Sequence, residues 1–392
     1  MINRYLEKYV LEDLKEKMAF ISGPRQVGKT TFANQIGEKH YLNNYTCLNW
    51  DKQSDRKTIL ADKLPADKKL LIFDEIHKYK KWKNYIKGEY DKNKSRFNIL
   101  VTGSARLDVY RKGGDSLMGR YHFYRLHPLS LGELLNKDAY PLPFTKLDFT
   151  NNHGQNKNIF DLLFKFGGFP EVFIKQNERS LRRWHASKAD RLIKEDIRDV
   201  ENLRDLSALQ IMVDLLPDKI GSLFSLNSLR EDLEVNHKTI TLWANVLEKF
   251  FYYFRIYPFQ STLIKALRKE PKAYLWDWSE IKDENIKFEN MIASHLLKFC
   301  DFLCDVEGYK ARLYYIRDKE QREVDFLVCI DNKPWFCAEA KSSSKSMSES
   351  LKYFSLKLKI PHVFEVVNEE NVDYIKGHIR VIGASKFLSA FV

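Results

Sequence analysis

Hydrophobic and polar positions along the chain follow two periods that change from segment to segment. Within residues 1–17, Tyr5, Leu6, Tyr9, Val10 and Leu14 fall on one side of an amphipathic helix. Short apolar runs follow at 18–21, 47–50, 70–73, 99–101 and 123–126, separated by stretches of helical or loop character. Apolar runs of strand length alternating with helices predict an α/β parallel sheet with helices on both faces. Residues 141–158 are rich in Pro, Asn, Thr and Lys and read as a linker or exposed loop. A basic helical connector is expected over 151–204.

Over 205–258 the spacing predicts three short helices. Ala208, Ile211, Met212 and Leu215 mark the first, and Leu226, Leu229 and Leu233 the second. Ile240, Trp243, Val246 and Leu247 mark the third, after a turn at Asn236. The run 250–257 then reads as a strand, which makes the segment winged-helix-like. Residues 270–392 switch to helix, strands, helix, strands, an α+β pattern. Four domains are therefore expected: 1–150, 151–204, 205–258 and 270–392.

The first apolar run leads into Gly23, Pro24, Arg25, Gln26, Val27, Gly28, Lys29, Thr30 and Thr31, which fits G-x-x-x-x-G-K-[ST] without a mismatch. The two glycines let the backbone turn its N–H groups onto phosphate oxygens, and the helix that follows aims its positive end at the same anion. Lys29 is expected on the β- and γ-phosphates of ATP, and Thr30 on Mg²⁺. The run 70–73 ends in Asp74 and Glu75, an apolar strand terminated by two carboxylates. Asp74 is expected to hold Mg²⁺ through water, and Glu75 to orient or deprotonate the attacking water. Ser104, with Thr102 second, is the candidate to contact the γ-phosphate. Arg106, Arg111, Arg120 and Arg125 follow, and Arg120 is the first choice for an arginine finger in cis or from a neighbouring subunit.

Charge extends the picture beyond nucleotide. The 392 residues carry a formal net charge of +12, which suits a polyanionic partner such as DNA, although a lysine-rich soluble surface has the same effect. Arg179, Arg182, Arg183 and Lys188 interleave with acids and read as a solvated, salt-bridged helix face. His237, Lys238 and Thr241 would face a DNA groove from the third short helix. The five cysteines are scattered and complete no zinc site or disulfide framework. The charged start lacks a signal peptide's apolar centre, and no apolar run approaches the roughly 20 residues that cross a bilayer. A cytoplasmic location without membrane contact is expected.

The segment 323–330 alternates like a strand, 331–333 is a turn, and 334–341 is a second strand. A hairpin there sets Asp325 opposite Glu339 and Lys341, with Glu289 available from the helical run upstream. Two carboxylates and a lysine can hold a divalent metal, Asp325 and Glu339 being its ligands, and activate water.

Together the landmarks GPRQVGKTT, LIFDEIHK, ILVTGSARL, DSLMGRYHFYRLHPLSLGELL, FGGFPEVF and REVDFLV…FCAEAK resemble a family of prokaryotic AAA-type ATPases. That family carries a winged-helix segment and a PD-(D/E)xK nuclease-like end. The resemblance implies an ATP site at Gly23, Gly28, Lys29, Thr30, Asp74 and Glu75, and a nuclease-like core at Glu289, Asp325, Glu339 and Lys341. The leading expectation is an ATP-hydrolysing, nucleic-acid-associated machine. The rival is a nucleotide-dependent switch or scaffold that binds a protein partner, a second copy of the chain or another protein, with a degenerate nuclease fold.

Overall fold

The computed structural model describes residues 2–65, 67–103, 117–136, 139–149, 153–197, 205–260, 267, 269–344 and 348–392. The chain divides into two compact units, Met1–Pro128 and Leu129–Val392. That division falls earlier than the boundary expected near residue 150. Residues beyond 128 pack inside the second unit, where Leu147 and Phe149 are buried and Trp335 Nε1 donates to the Thr145 carbonyl at 3.2 Å. A few apolar side chains anchor a stretch that its polar composition marked as a linker.

The first unit is built on five strands: β1 (Met18–Ser22), β2 (Tyr45–Asn49), β3 (Leu70–Asp74), β4 (Asn98–Thr102) and β5 (Tyr121–Arg125). Their order is β2-β3-β4-β1-β5, and every neighbouring pair is parallel. A parallel sheet is covered on both sides, so its central strands read as unbroken apolar runs; β1 and β3 are buried at every residue. Met18, Phe20, Leu71, Phe73, Ile99 and Val101 alternate onto one face. There they pack with Ile59, Trp82 and Ile86 from helices Gln53–Leu60 and Trp82–Asn93. Helix Lys29–His40 covers β2, β3 and β4, and the Tyr124 hydroxyl reaches the carboxylate of Asp13 in helix Glu7–Asp13. The carboxyl ends of all five strands open on one edge, where ligands of open α/β sheets bind.

The second unit contains an eight-stranded mixed sheet. Its strands are β6 (Tyr253–Pro258), β7 (Lys272–Leu275), β8 (Ala311–Arg317), β9 (Glu323–Ile330), β10 (Lys333–Lys341), β11 (His362–Val367), β12 (Asp373–Lys376) and β13 (Ile379–Gly383). The order is β12-β13-β11-β10-β9-β8-β6-β7. Asp331 and Asn332 both take positive φ, 50° and 63°, which makes a two-residue type I′ turn between β9 and β10. Helix Glu284–Asp305 starts where Asp283 accepts from the N–H groups of Asn285 and Ile286, and it packs on β7, β8, β9 and β10.

Ahead of that helix lie helices Leu206–Leu215, Leu226–Asp232 and His237–Lys249, the last capped by Asn236. They lead into the antiparallel β6–β7 ribbon. β6 also pairs with β8, so the ribbon is the edge of the large sheet and not a separate element. Lys188, expected on a solvated face, is half-buried instead. It bonds to Asp277 at 3.3 Å and Glu280 at 2.5 Å, while Trp184 Nε1 donates to Asp277. The other helix charges stay outside, as in the Arg182–Glu178 pair at 3.8 Å. None of the five cysteines is in a disulfide. No helix among the described residues is long and apolar enough to cross a membrane.

Candidate functional site

The carboxyl edge of the first sheet gathers the phosphate loop. Gly23 leaves β1 at φ 152°, and a Cβ there would stand 2.3 Å from the Leu126 carbonyl oxygen. Gln26 and Gly28 take φ of 62° and 96°, and helix Lys29–His40 begins directly after. Lys29 is buried and folds back over the loop, its Nζ 3.0 Å from the Gly23 carbonyl and 2.8 Å from that of Pro24. Thr30 and Thr31 are exposed at the first turn. Below the loop, Arg4 donates to the Val27 carbonyl at 2.8 Å and to the His127 carbonyl at 2.5 Å, tying the loop to the segment after β5.

Asp74 ends β3 beside this loop and is 1% exposed. Its Oδ2 accepts from Thr30 Oγ1 at 2.9 Å and Asn49 Nδ2 at 2.7 Å, and its Oδ1 accepts from Thr102 Oγ1. Burial raises the Asp74 carboxyl above the usual carboxylate range; the Thr102 hydroxyl is the largest influence pulling it back, and the Glu75 charge adds to the rise. Glu75 sits in the left-handed region at φ 55°, its N–H held by the Thr102 carbonyl at 3.0 Å. Its Oε2 lies 3.6 Å from both His77 Nε2 and Lys78 Nζ. A non-glycine residue held in that conformation costs on the order of 1–3 kcal/mol, a strain found at sites where a side chain must be aimed.

Thr102 and Asn49 occupy the ends of the strands on either side of β3. Thr102, second choice from the sequence, is thus the residue seen against Asp74. Ser104, Arg106 and Arg111 lie outside the described residues. Asn49 was missed by sequence reasoning; its signal was a polar residue ending an apolar strand. Arg120 precedes β5 and so sits at the opposite edge of the sheet. Its guanidinium is held by Asp91 through Nε at 2.8 Å and Nη2 at 3.1 Å. β5 is five residues long, a separation of roughly 17 Å at strand rise, which puts Arg120 out of reach of its own phosphate loop. Arg125, at the other end of β5, is on the loop side.

A second cluster lies in the second unit. The β9–β10 register pairs Ala338 with Phe326, and the Ala340 N–H donates to Asp325 Oδ2 at 3.0 Å, so Asp325 faces Glu339. Glu289 joins them from helix Glu284–Asp305. Its Oε1 accepts from the Tyr274 hydroxyl at 2.7 Å and from Lys272 Nζ at 3.2 Å. Lys272 Nζ also lies 2.6 Å from Glu323 and 3.1 Å from Asp325. Lys341 turns instead to Glu365, at 3.2 Å on the neighbouring β11.

Glu339 accepts from Ser348 at 3.2 Å through Oε1, while Oε2 is buried without a hydrogen-bond partner. Burial, reinforced by the Asp325 charge, pushes the Glu339 carboxyl up to about 9; the same two causes push Glu289 up to about 7. Lys272 and Glu365 were not anticipated. The visible signal for Lys272 was a lone lysine opening an apolar run.

Residues 15–135 match the family model of the AAA domain. Two further models, each of a domain of unknown function, match residues 157–279 and 286–387. Uncharacterized protein MJ1544 of Methanocaldococcus jannaschii is 24% identical over 366 residues, covering 88% of this chain and 79% of that protein. MJ1637 of the same organism is 24% identical over 430 residues, covering 97% and 88%. Among solved structures, the Thermotoga maritima RuvB Holliday junction branch migration motor aligns at 18% identity with a TM-score of 0.33, covering 65% of this chain and 90% of that one.

The segment matched by the AAA model is an α/β fold with a parallel sheet, and its loop and strand ends carry oxygen donors for the metal that accompanies ATP. A threonine hydroxyl and a buried carboxylate 2.9 Å apart are hard oxygen donors of the kind Mg²⁺ takes, so these residues fit it. Between Glu289 and Asp325 the second cluster holds Lys272 and not a metal, and of the expected ligands Asp325 is held by Lys272 and the Ala340 N–H while Glu339 keeps Oε2 buried without a hydrogen-bond partner. Among the described residues no three His, Cys, Asp or Glu side chains form a group that could hold one. The point where Glu289 of the long helix and Glu323 and Asp325 of β9 meet is the Lys272 ammonium.

Proposed function

We propose that the chain binds ATP with Mg²⁺ in its AAA domain and hydrolyses it. The observation that carries this reading is the Thr30–Asp74 hydrogen bond, which joins the phosphate loop to the acidic strand end at one point. Mg²⁺ bound there would screen phosphate charge. Lys29 would exchange its Gly23 and Pro24 carbonyl partners for phosphate oxygens, a favourable swap because an ammonium bonds an anion more strongly than a neutral carbonyl. Glu75 would orient and deprotonate the attacking water, and Thr102 would hold Asp74 in place. An arginine finger at Arg120 would come from a neighbouring subunit of a homo-oligomer.

The partner proposed for the second unit is nucleic acid. Three helices followed by a β-ribbon support a winged-helix reading, and His237 and Lys238 are exposed at the start of the third helix. Thr241 is half-buried, with its hydroxyl on the His237 carbonyl at 2.7 Å, so it contributes less than its neighbours. The eight-stranded sheet is nuclease-like in its β9–β10 hairpin and long helix. One observation favours a switch or scaffold with a degenerate nuclease fold over a cutting enzyme: Lys272 stands among the carboxylates.

Turnover of labelled ATP tests the first half. Lys29→Ala should abolish it and Glu75→Gln should bind without turnover; a Lys29→Ala chain as fast as wild type would refute the site. Anisotropy of labelled DNA across a salt series tests the second half, where binding that does not weaken with salt would refute a phosphate-led contact.

A further inference from the structure

Lys272 reaches its position through backbone that has nowhere else to go. Its strand, β7, is buried at every residue, pairs with β6 on one side, and bridges to Leu223. The lysine side chain itself is 4% exposed. Its ammonium carries three protons and no acceptor. Three carboxylates supply three oxygens: Glu289 from the long helix at 3.2 Å, and Glu323 and Asp325 from β9 at 2.6 and 3.1 Å. The donor capacity of the group is fully used, and the remaining oxygen of Asp325 is taken by the Ala340 N–H.

Hard carboxylate oxygens converging on one point are also what a divalent cation recruits, at roughly 2.0–2.6 Å from each oxygen. A metal ion at that distance from the same oxygens would share the space of Lys272 Nζ, with its own charge repelling the ammonium. We infer that Lys272 is the built-in cation of this cluster, filling the place between Glu289 and Asp325 that a divalent metal would otherwise take. The same three ion pairs fasten the β6–β7 ribbon, and with it the three helices ahead of it, to β9 and the long helix. Their site is a joint that holds the segment in place, not a metal centre that cuts phosphodiesters. The inference rests on reading this sheet as nuclease-like, since that reading is what makes a metal the expected occupant.

Mn²⁺ counted by electron paramagnetic resonance, without nucleotide, tests it on the full chain. Asp74→Asn is included throughout so that the AAA domain does not contribute. With Lys272 present, Mn²⁺ should stay free at concentrations on the order of 1 mM, the weak end of protein divalent-ion affinities. Adding Lys272→Met should create a site for one Mn²⁺, and Asp325→Asn should remove it again. Circular dichroism confirms that the variants are folded. A folded Lys272→Met chain that gains no site would overturn the inference. So would a Lys272-containing chain that holds Mn²⁺ and releases it on Asp325→Asn, a comparison that decides the matter even where Lys272→Met fails to fold. The ATP-turnover assay is read separately: its failure would remove the ATPase reading and leave the Mn²⁺ counts where they are.

Discussion

Replacing Thr102 by Val keeps a β-branched side chain at the end of β4 and removes one hydroxyl. Thr102 and Asp74 are register partners on β4 and β3, at 0% and 1% exposure, so no water stands ready to replace the lost donor. A hydrogen bond to a buried charged group contributes about 1.5–3 kcal/mol. Losing it raises the Asp74 carboxyl further in the same direction, because the hydroxyl bonds the charged form more strongly than the neutral one. Burial already holds this carboxyl above its ordinary value of 3.8. Its contribution to stability is therefore full below 3.8 and declines as pH rises through the folded value.

Thr102→Val moves the end of that decline upward. The variant should be weaker by about 1.5–3 kcal/mol near about pH 7.5, and the deficit should shrink as pH falls toward about 4 and the carboxyl takes up its proton. Urea unfolding of the first unit at the two pH values measures the difference, and the acid limb of ATP turnover should move upward in parallel. Equal deficits at both pH values, with an unmoved acid limb, would show that Thr102 does not hold an ionised Asp74.

Gly23→Ala combines a φ of 152° with a Cβ 2.3 Å from the Leu126 carbonyl, so the phosphate loop must shift; at a strain of about 1–3 kcal/mol, a fluorescent ATP analogue should bind about five- to 150-fold more weakly. Lys188→Met leaves the buried Asp277 and the half-buried Glu280 without their cation, which should lower stability to urea by about 3–5 kcal/mol. Burial alone would raise the Asp277 carboxyl, but Lys188 and its other partners lower it overall, so the wild-type contribution is present above 3.8 and lost as pH falls through the folded value; a variant as stable as wild type at neutral pH would refute the pairing. Glu339 has its carboxyl pushed up to about 9, so wild-type stability should fall as pH rises from 4.5 through 9. Glu339→Gln should flatten that slope in pH-dependent thermal melts, and an unchanged slope would show that Glu339 is ionised in the folded chain.

What the sequence alone determined was local. A parallel strand buried on both faces must be apolar throughout, so β1, β3 and β4 were legible as runs, each found within a residue or two of its expected place. The phosphate loop was legible because its chemistry lies in consecutive residues, where the glycines and the lysine need no partner from elsewhere in the chain. The β9–β10 hairpin was legible for the same reason, since a two-residue turn between alternating strands sets its own register.

Tertiary structure decided everything that depends on which distant residues meet. Strand order brought Asn49 and Thr102 to the two sides of Asp74, and direction along β5 put Arg120 at the far edge from the loop. A basic helix pattern is the same whether its lysine faces water or a buried acid, so Lys188 could be placed only by the packing of Asp277 and Glu280 upon it. Lys272 is the strongest case. A single lysine at the start of an apolar strand carries no sign of its partners, and three carboxylates from a helix and a strand fix its role only once the sheet has closed around them.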